Sequence, residues 1–301
     1  METKKKKIGF ILNPYAGIGG KAGLKGSDNY KKIEKLLLEG CERTAPKRAE
    51  SCMSKIADLT ASLVAGDKGS VGEKNFSILS APGDMGEALL KKLKIPCDVV
   101  LCPKADTSSA EDTKLCAQIM KEQGVDLLVF CGGDGTARDI CEAVGTDVTV
   151  LGIPAGVKMY SACYACNPYQ AGEMLAGWLE GKEMSYEMRE VLDIEEKDLD
   201  SRNVSPQLYG FLEVLSDGKH LQKAKELDLG SGESATIIAR AAILRMEKDW
   251  VYIIGPGGTT WKIKELLCEN DEQEDTGKKN VHGTVRGVDV IRNGKIILRD
   301  E

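Results

Sequence analysis

Asp126-Leu127-Leu128-Val129-Phe130-Cys131-Gly132-Gly133-Asp134-Gly135-Thr136-Ala137-Arg138-Asp139-Ile140 is the stretch around which the chain is organised. Five apolar residues bounded by Asp126 and a glycine pair read as a buried parallel strand, and the tract after Thr136 reads as a helix. Gly132 to Thr136 is then a strand-to-helix turn. Its glycines remove the Cβ atoms that would hold a phosphate away from the backbone amides. The following helix aims unpaired N–H groups and its positive dipole end at the same spot. A carboxylate inside such an anion site is costly unless it binds a metal or takes a proton from a substrate hydroxyl, which makes Asp134 the candidate catalytic residue. The alternative is an ordinary glycine turn with an exposed, helix-capping Asp.

Working outward, Ile8 to Leu12 reads as another buried strand, left by the loop Asn13-Pro14-Tyr15-Ala16-Gly17-Ile18-Gly19-Gly20-Lys21. Gly17, Gly19 and Gly20 permit close approach to a phosphate, with Lys21 and Lys25 available to neutralise it. No Gly-Lys-Ser/Thr follows, so this is not a Walker loop. Helices are expected over 30–38, 45–64 and 107–123 and through 90–93, and strands over 76–79, 98–102 and 148–153. Thr107 to Asp112 carries the hydroxyl and early acids of a helix start. This alternation predicts a parallel sheet with helices on both faces, and the loops 13–20, 80–86, 132–136 and 154–159 all leave its carboxyl edge, where ligands of such sheets bind.

After a helix at 169–179 the pattern changes. Met184, Tyr186, Met188, Glu190, Leu192 and Ile194, mostly apolar, alternate with the mostly polar Glu183, Ser185, Glu187, Arg189 and Asp193, the period of a half-buried strand. Gln207 to Leu215 reads as a further strand, Ser234 to Met246 as a helix, and Asn293-Gly294 as the turn of a hairpin. Trp250 to Trp261 repeats the strand, glycine turn, helix device, with Gly257, Gly258, Thr259 and Thr260 where the first copy has its carboxylate. The expected division is an α/β nucleotide-binding domain over 1–155 and a mainly antiparallel β-rich domain over 156–301, with both glycine turns facing one cleft. Asn270 to Asn280 reads as a charged loop.

A net charge of -6 and a pI near 5.3 argue against a nucleic-acid surface. No stretch approaches a membrane span or a signal-peptide core, so a cytoplasmic protein without membrane partners is expected. Ten cysteines in mostly apolar contexts fit reduced thiols, and with two histidines structural zinc is not expected. Cys163-Tyr164-Ala165-Cys166 leaves a redox pair open.

With these motifs in view, the chain resembles the ATP-NAD kinase family in its AcoX-like branch, within the superfamily that also holds diacylglycerol kinases. The resemblance rests on Asn13 to Gly20, Leu24-Lys25-Gly26-Ser27-Asp28, Gly132 to Asp139, Gly152-Ile153-Pro154-Ala155-Gly156-Val157-Lys158-Met159, Tyr252 to Thr260 and Gly287 to Val290. It implies a kinase-like fold, ATP with Mg²⁺ bridging its phosphates, and a role in NADP biosynthesis. It also implies Asp134 as the base acting on an acceptor hydroxyl. Phosphate contacts fall to Asn13, Pro14, Ala16, Gly17, Gly19, Gly20, Gly132, Gly133, Gly135, Thr136 and the 257–260 turn. Substrate contacts fall to Lys25, Asp28, Arg138, Asp139 and Lys158. The family's Asn-Glu dipeptide is absent from this chain, and its Gly-Ile-Asn-x-Gly turn is Gly-Ile-Pro-Ala-Gly here, which leaves the acceptor open. The expected function is phosphoryl transfer from ATP to a hydroxyl of NAD or a related small molecule by a homo-oligomer. The alternatives are a nucleotide-binding regulatory protein and a lipid-type kinase.

Overall fold

The computed structural model describes residues 5–18, 37–38, 40–64, 76–102, 108–156, 159–193, 206–222, 232–255, 257–271 and 288–298. Gly19, Gly20, Lys21, Lys25, Asp28 and Lys158, with most of the expected 30–38 helix and of the 270–280 loop, lie outside them. The chain forms two compact units, Met1–Lys225 and Glu226–Glu301.

The first unit is built on a seven-stranded sheet. In chain order its elements are β1 (Lys6–Leu12), α1 (Thr44–Val64), β2 (Phe76–Ser80), a 3-10 turn (Gly83–Met85), α2 (Glu87–Lys92), β3 (Asp98–Val99), α3 (Ala110–Glu122), β4 (Leu127–Gly132), α4 (Asp134–Val144), β5 (Val150–Pro154), α5 (Pro168–Leu179), β6 (Ser185–Asp193) and β7 (Gln207–Ser216). The strand order is β3-β2-β1-β4-β5-β7-β6, and every neighbouring pair is parallel except β6 with β7. Helices α1 and α5 pack together, as do α3 and α4, so the sheet is covered on both faces. That is why β4 reads as an unbroken apolar run: all six of its residues are buried. Full burial of a side chain such as Phe130 contributes about 1.5–3 kcal/mol.

Helix α3 starts as its sequence is written. Ser109 accepts from the amide of Asp112, whose carboxylate accepts from the amide of Ser109, the reciprocal capping box. The third strand is shorter than the expected 98–102, because only Asp98 and Val99 pair with β2.

Two expectations change. The boundary expected at 155/156 falls instead at 225/226, since β5 pairs with β7 and β7 with β6, which places that hairpin in the first sheet. The mostly apolar face of β6 is also not the buried one. Tyr186 and Met188 are 55% and 54% exposed, whereas Val191 is fully buried. Near the end of the strand the Asp193 carboxylate reaches Arg138 on α4, so alternation fixed the strand but not which face turned inward.

The second unit contains α6 (Gly232–Leu244), β8 (Val251–Ile254), α7 (Gly258–Asp271), β9 (Asp289–Arg292) and β10 (Lys295–Leu298). Its antiparallel sheet runs β10-β9-β8. Asn293 and Gly294 both take positive φ (51° and 75°), the backbone that a tight hairpin turn requires. Its small core centres on Ala239, Ile263, Leu267 and Ile291, and Lys264 Nζ lies 2.9 Å from Asp289 Oδ2 with both side chains fully buried.

Candidate active site at the carboxyl edge of the first sheet

From β1 the chain winds outward to β2 and β3, then returns to place β4 on the other side of β1. The strand order therefore reverses between β1 and β4, and the crevice outside their carboxyl ends is where open α/β sheets bind ligands. Both glycine-bearing segments read from the sequence leave from this point.

They are tied across it. Asn13 Nδ2 donates to Thr136 Oγ1 at 3.0 Å, the Asn13 backbone amide donates to the Cys131 carbonyl at 2.9 Å, and Asn13 Oδ1 accepts from the Tyr15 amide at 3.1 Å. Asn13 thus spends its side chain on holding the loop against the β4–α4 turn. Pro14 and Ala16 are buried beneath that loop. Gly17 takes φ +79°, and a Cβ there would stand 2.2 Å from the Ala155 carbonyl oxygen, so the β1 and β5 loops approach more closely than any side chain allows.

The turn itself is equally constrained. A Cβ on Gly132 would lie 2.4 Å from Thr136 Cβ. The Gly132 carbonyl accepts from the Ala155 amide at 2.9 Å, and the Gly133 carbonyl accepts from the Tyr164 hydroxyl at 2.6 Å. Gly133 is the N-cap of α4 and has no side chain to cap it, so the amino end of the helix begins directly at the carboxyl end of β4. The positive end of α4 is therefore placed for an anion.

Asp134 is buried, 9% exposed, and is not an exposed helix cap. Its Oδ2 accepts from the Tyr160 amide at 2.8 Å and its Oδ1 from the Ser161 amide at 2.9 Å. The carboxylate thus reaches away from its own helix to fasten the segment that follows β5. Each such bond to a charged acceptor contributes about 1.5–3 kcal/mol. Ser161 extends the tether, its hydroxyl donating to the Leu192 carbonyl at 2.8 Å and accepting from the Leu192 amide at 3.1 Å. Beyond it Tyr164 bridges to Gly152 in parallel, and Ala165 pairs with Leu221, so 161–166 is threaded between β5 and the β6–β7 hairpin.

Tyr164 is fully buried and meets Phe130 edge to face, ring centroids 5.4 Å apart. Burial pushes its hydroxyl well up, with the nearby Cys163 and Asp134 adding to the shift, so it stays protonated as a donor to Gly133. Cys163 is also buried, and its thiol is raised by burial first and then by the Asp134 charge; Cys166 is exposed and both are free. One thiol packed in the core and its neighbour in solvent do not form a reactive pair.

The remaining expected residues separate. Arg138 is held by Asp193, Nη1 to Oδ2 3.0 Å, lies over the Tyr209 ring at 5.5 Å, and has Asp139 Oδ1 3.9 Å from its Nε. Its charge ties α4 to β6 and β7. Arg48 of α1, which the sequence reading passed over, comes to the same edge and donates to the Pro154 carbonyl at 3.3 Å. Ser161, Tyr164 and Asp193 were also missed as site-building residues. The segment Ser161-Ala162-Cys163-Tyr164-Ala165-Cys166, which begins five positions past Gly156, was the available signal for the first two. Gly257 to Thr260 belongs to the second unit, where Thr260 Oγ1 donates to the Gly257 carbonyl at 2.9 Å and Thr259 is exposed.

Among the described residues no group of three His, Cys, Asp or Glu side chains could hold a metal, and no helix is long and apolar enough to cross a membrane.

Comparison with curated proteins gives no match. Two solved structures from Bacillus anthracis str. Sterne, both described as diacylglycerol kinases, superpose on 62% of this chain with 15% and 16% identity and TM-scores of 0.30 and 0.29. The matches span 45% and 46% of those two chains, so less than half of their length is represented, and likeness at these TM-scores carries no argument about activity. The family model described as ATP-NAD kinase N-terminal domain matches residues 8–183, which run from within β1 through α5 and include the 13–18, 132–136 and 152–156 segments and Asp134. That match spans more than half of the chain, and the chain belongs to the ATP-NAD kinase family.

Proposed function

We propose that the protein is a kinase that moves the terminal phosphoryl group of ATP to a hydroxyl of NAD or a related small molecule. The observation that carries this reading is the amino end of α4, opened by Gly133 and set at the reversal of strand order beside the buried carboxylate of Asp134. Phosphoryl transfer asks mainly for positioning and neutralisation of charge. The amides of Asp134, Gly135 and Thr136 supply fixed donors for phosphate oxygens. Gly17 lets the β1 loop close on the same edge, and Asn13 holds the two loops in register.

Asp134 has two roles in this reading. Through the Tyr160 and Ser161 amides it fixes the segment that walls the crevice, and its negative charge accepts the proton of an acceptor hydroxyl. Proton acceptance is the lesser demand in a loose transition state, so positioning carries more of the rate. A divalent cation would enter as a companion of the nucleotide phosphates, which are its usual partners in phosphoryl transfer. When bound, such a cation neutralises phosphate charge; Mg²⁺ is the proposed ion.

The test incubates purified protein with labelled ATP and Mg²⁺ against NAD, NADH, small alcohols and diacylglycerol. Acceptor-dependent transfer to a polar hydroxyl, lost on chelation and restored by Mg²⁺, is the expected result. Transfer to diacylglycerol alone would make the protein a lipid kinase. ATP binding without consumption under any acceptor would assign it a nucleotide-binding role.

A further inference from the structure

One pair of thiols stands apart from the crevice. Cys102 Sγ lies 3.1 Å from Cys116 Sγ, the one thiol–thiol contact in hydrogen-bonding geometry among the described residues. Both are free. Cys102 follows the short strand β3 and is half-buried, while Cys116 sits on the inner face of α3 with Thr113, Ala117 and Met120 and is fully buried. The two sulfurs belong to one crossover, the connection that carries the chain from the outer strand β3 back to β4.

We propose that Cys102 and Cys116 form an oxidisable dithiol that closes to an intramolecular disulfide on reaction with a small-molecule disulfide of the glutathione type. The sulfurs need approach by only about 1 Å to reach bonding distance, a shift that side-chain rotation supplies. Accessibility sets the order of events. Cys102 loses its proton to solvent and its thiolate attacks one sulfur of the oxidant, breaking that S–S bond and releasing one thiol. Cys116, in contact with the resulting mixed disulfide, gives up its proton and attacks the Cys102 sulfur, expelling the second thiol. Two protein thiols are oxidised by two electrons, and one oxidant disulfide is reduced to two thiols.

The other cysteines lack this arrangement. Cys52 is fully buried and has no second sulfur in hydrogen-bonding contact among the described residues. Cys131 and Cys163 are likewise fully buried. Cys166 is exposed and has no thiol partner in contact among the described residues. An exposed lone thiol retains a mixed disulfide, whereas a thiol beside a second sulfur resolves it. Closing the ring between 102 and 116 restricts the unfolded chain, so the oxidised protein should unfold at a temperature higher by about 5 °C or more.

The experiment treats the folded 301-residue chain with oxidised glutathione, blocks remaining thiols with N-ethylmaleimide, and maps tryptic peptides. The expected product joins peptide 95–104 to peptide 115–121, with fragmentation placing the bridge on Cys102 rather than Cys97, two fewer alkylated thiols, and a raised Tm that dithiothreitol reverses. Cys116→Ser should keep a stable glutathione adduct on Cys102, and Cys102→Ser should leave Cys116 unmodified. A persistent glutathione adduct on Cys102 of the unsubstituted protein would overturn the proposal, as would Cys116 recovered fully alkylated. If either variant does not fold, the map of the unsubstituted protein decides alone.

Discussion

The chain writes one device twice, and the two copies behave differently. In the first unit β4 runs through Gly132-Gly133 into α4; in the second β8 runs through Gly255 to Gly257 into α7. The first turn is held by distant partners. Asn13 reaches Thr136, Ala155 and Tyr164 hold the carbonyls of Gly132 and Gly133, and Asp134 grips the amides of Tyr160 and Ser161. In the second the bonds seen among the described residues are local, with Thr260 Oγ1 and the Trp261 amide both donating to the Gly257 carbonyl. A glycine turn at a helix start is thus common equipment. What distinguishes a site is the tertiary scaffold that fixes it.

The largest expected effect that would break this contrast is on catalysis. Asp134→Asn leaves one acceptor where two amides donate, and sets an NH₂ against the other. Phosphoryl transfer should fall by about 100-fold or more, with a Tm lowered by several degrees. A folded variant with unchanged turnover would remove Asp134 from the proposed mechanism.

Next comes Gly132→Ala, which drives a Cβ into the Thr136 side chain close to the helix backbone. Its cost should lie near the upper end of about 1–3 kcal/mol by denaturant titration. The matching change, Gly255→Ala, meets nothing within 4 Å and should leave stability unchanged within about 0.5 kcal/mol. Equal costs at the two positions would erase the distinction between the turns.

Tyr164→Phe sharpens the comparison, since it removes a single buried donor and leaves the Gly133 carbonyl with the Ala137 amide as its remaining donor among the described residues. A loss of about 0.5–1.5 kcal/mol is expected. The smallest effect should be Thr260→Val, which deletes a bond that water can replace at a half-buried helix start; urea unfolding should register under about 1 kcal/mol.

Much of the first unit was legible before its coordinates. The apolar run of β4, the capping residues of α3 and the positive φ of Gly17 are local signals, because strand burial, helix starts and backbone φ are decided over a few residues. Less was legible at Asp134. Its residue type and place in the turn suggested chemistry, but the burial of its carboxylate depends on Tyr160 and Ser161, whose amides carry no side-chain signature. Arg138 shows the same limit: a cation one turn into the helix looks ready for substrate, and Asp193, 55 residues on, claims it.

The amino-acid order alone settled the α/β class, the carboxyl-edge loops, the two-residue hairpin turn at Asn293-Gly294 and membership of the kinase family, each carried by short-range pattern. Tertiary structure alone decided that the β6–β7 hairpin joins the first sheet, which face of β6 turns inward, and that Cys102 meets Cys116. The physical reason is that these outcomes rest on pairings between strands, helices and side chains remote in sequence. Periodicity specifies that a strand has two faces, but only the element packed against it selects the buried one.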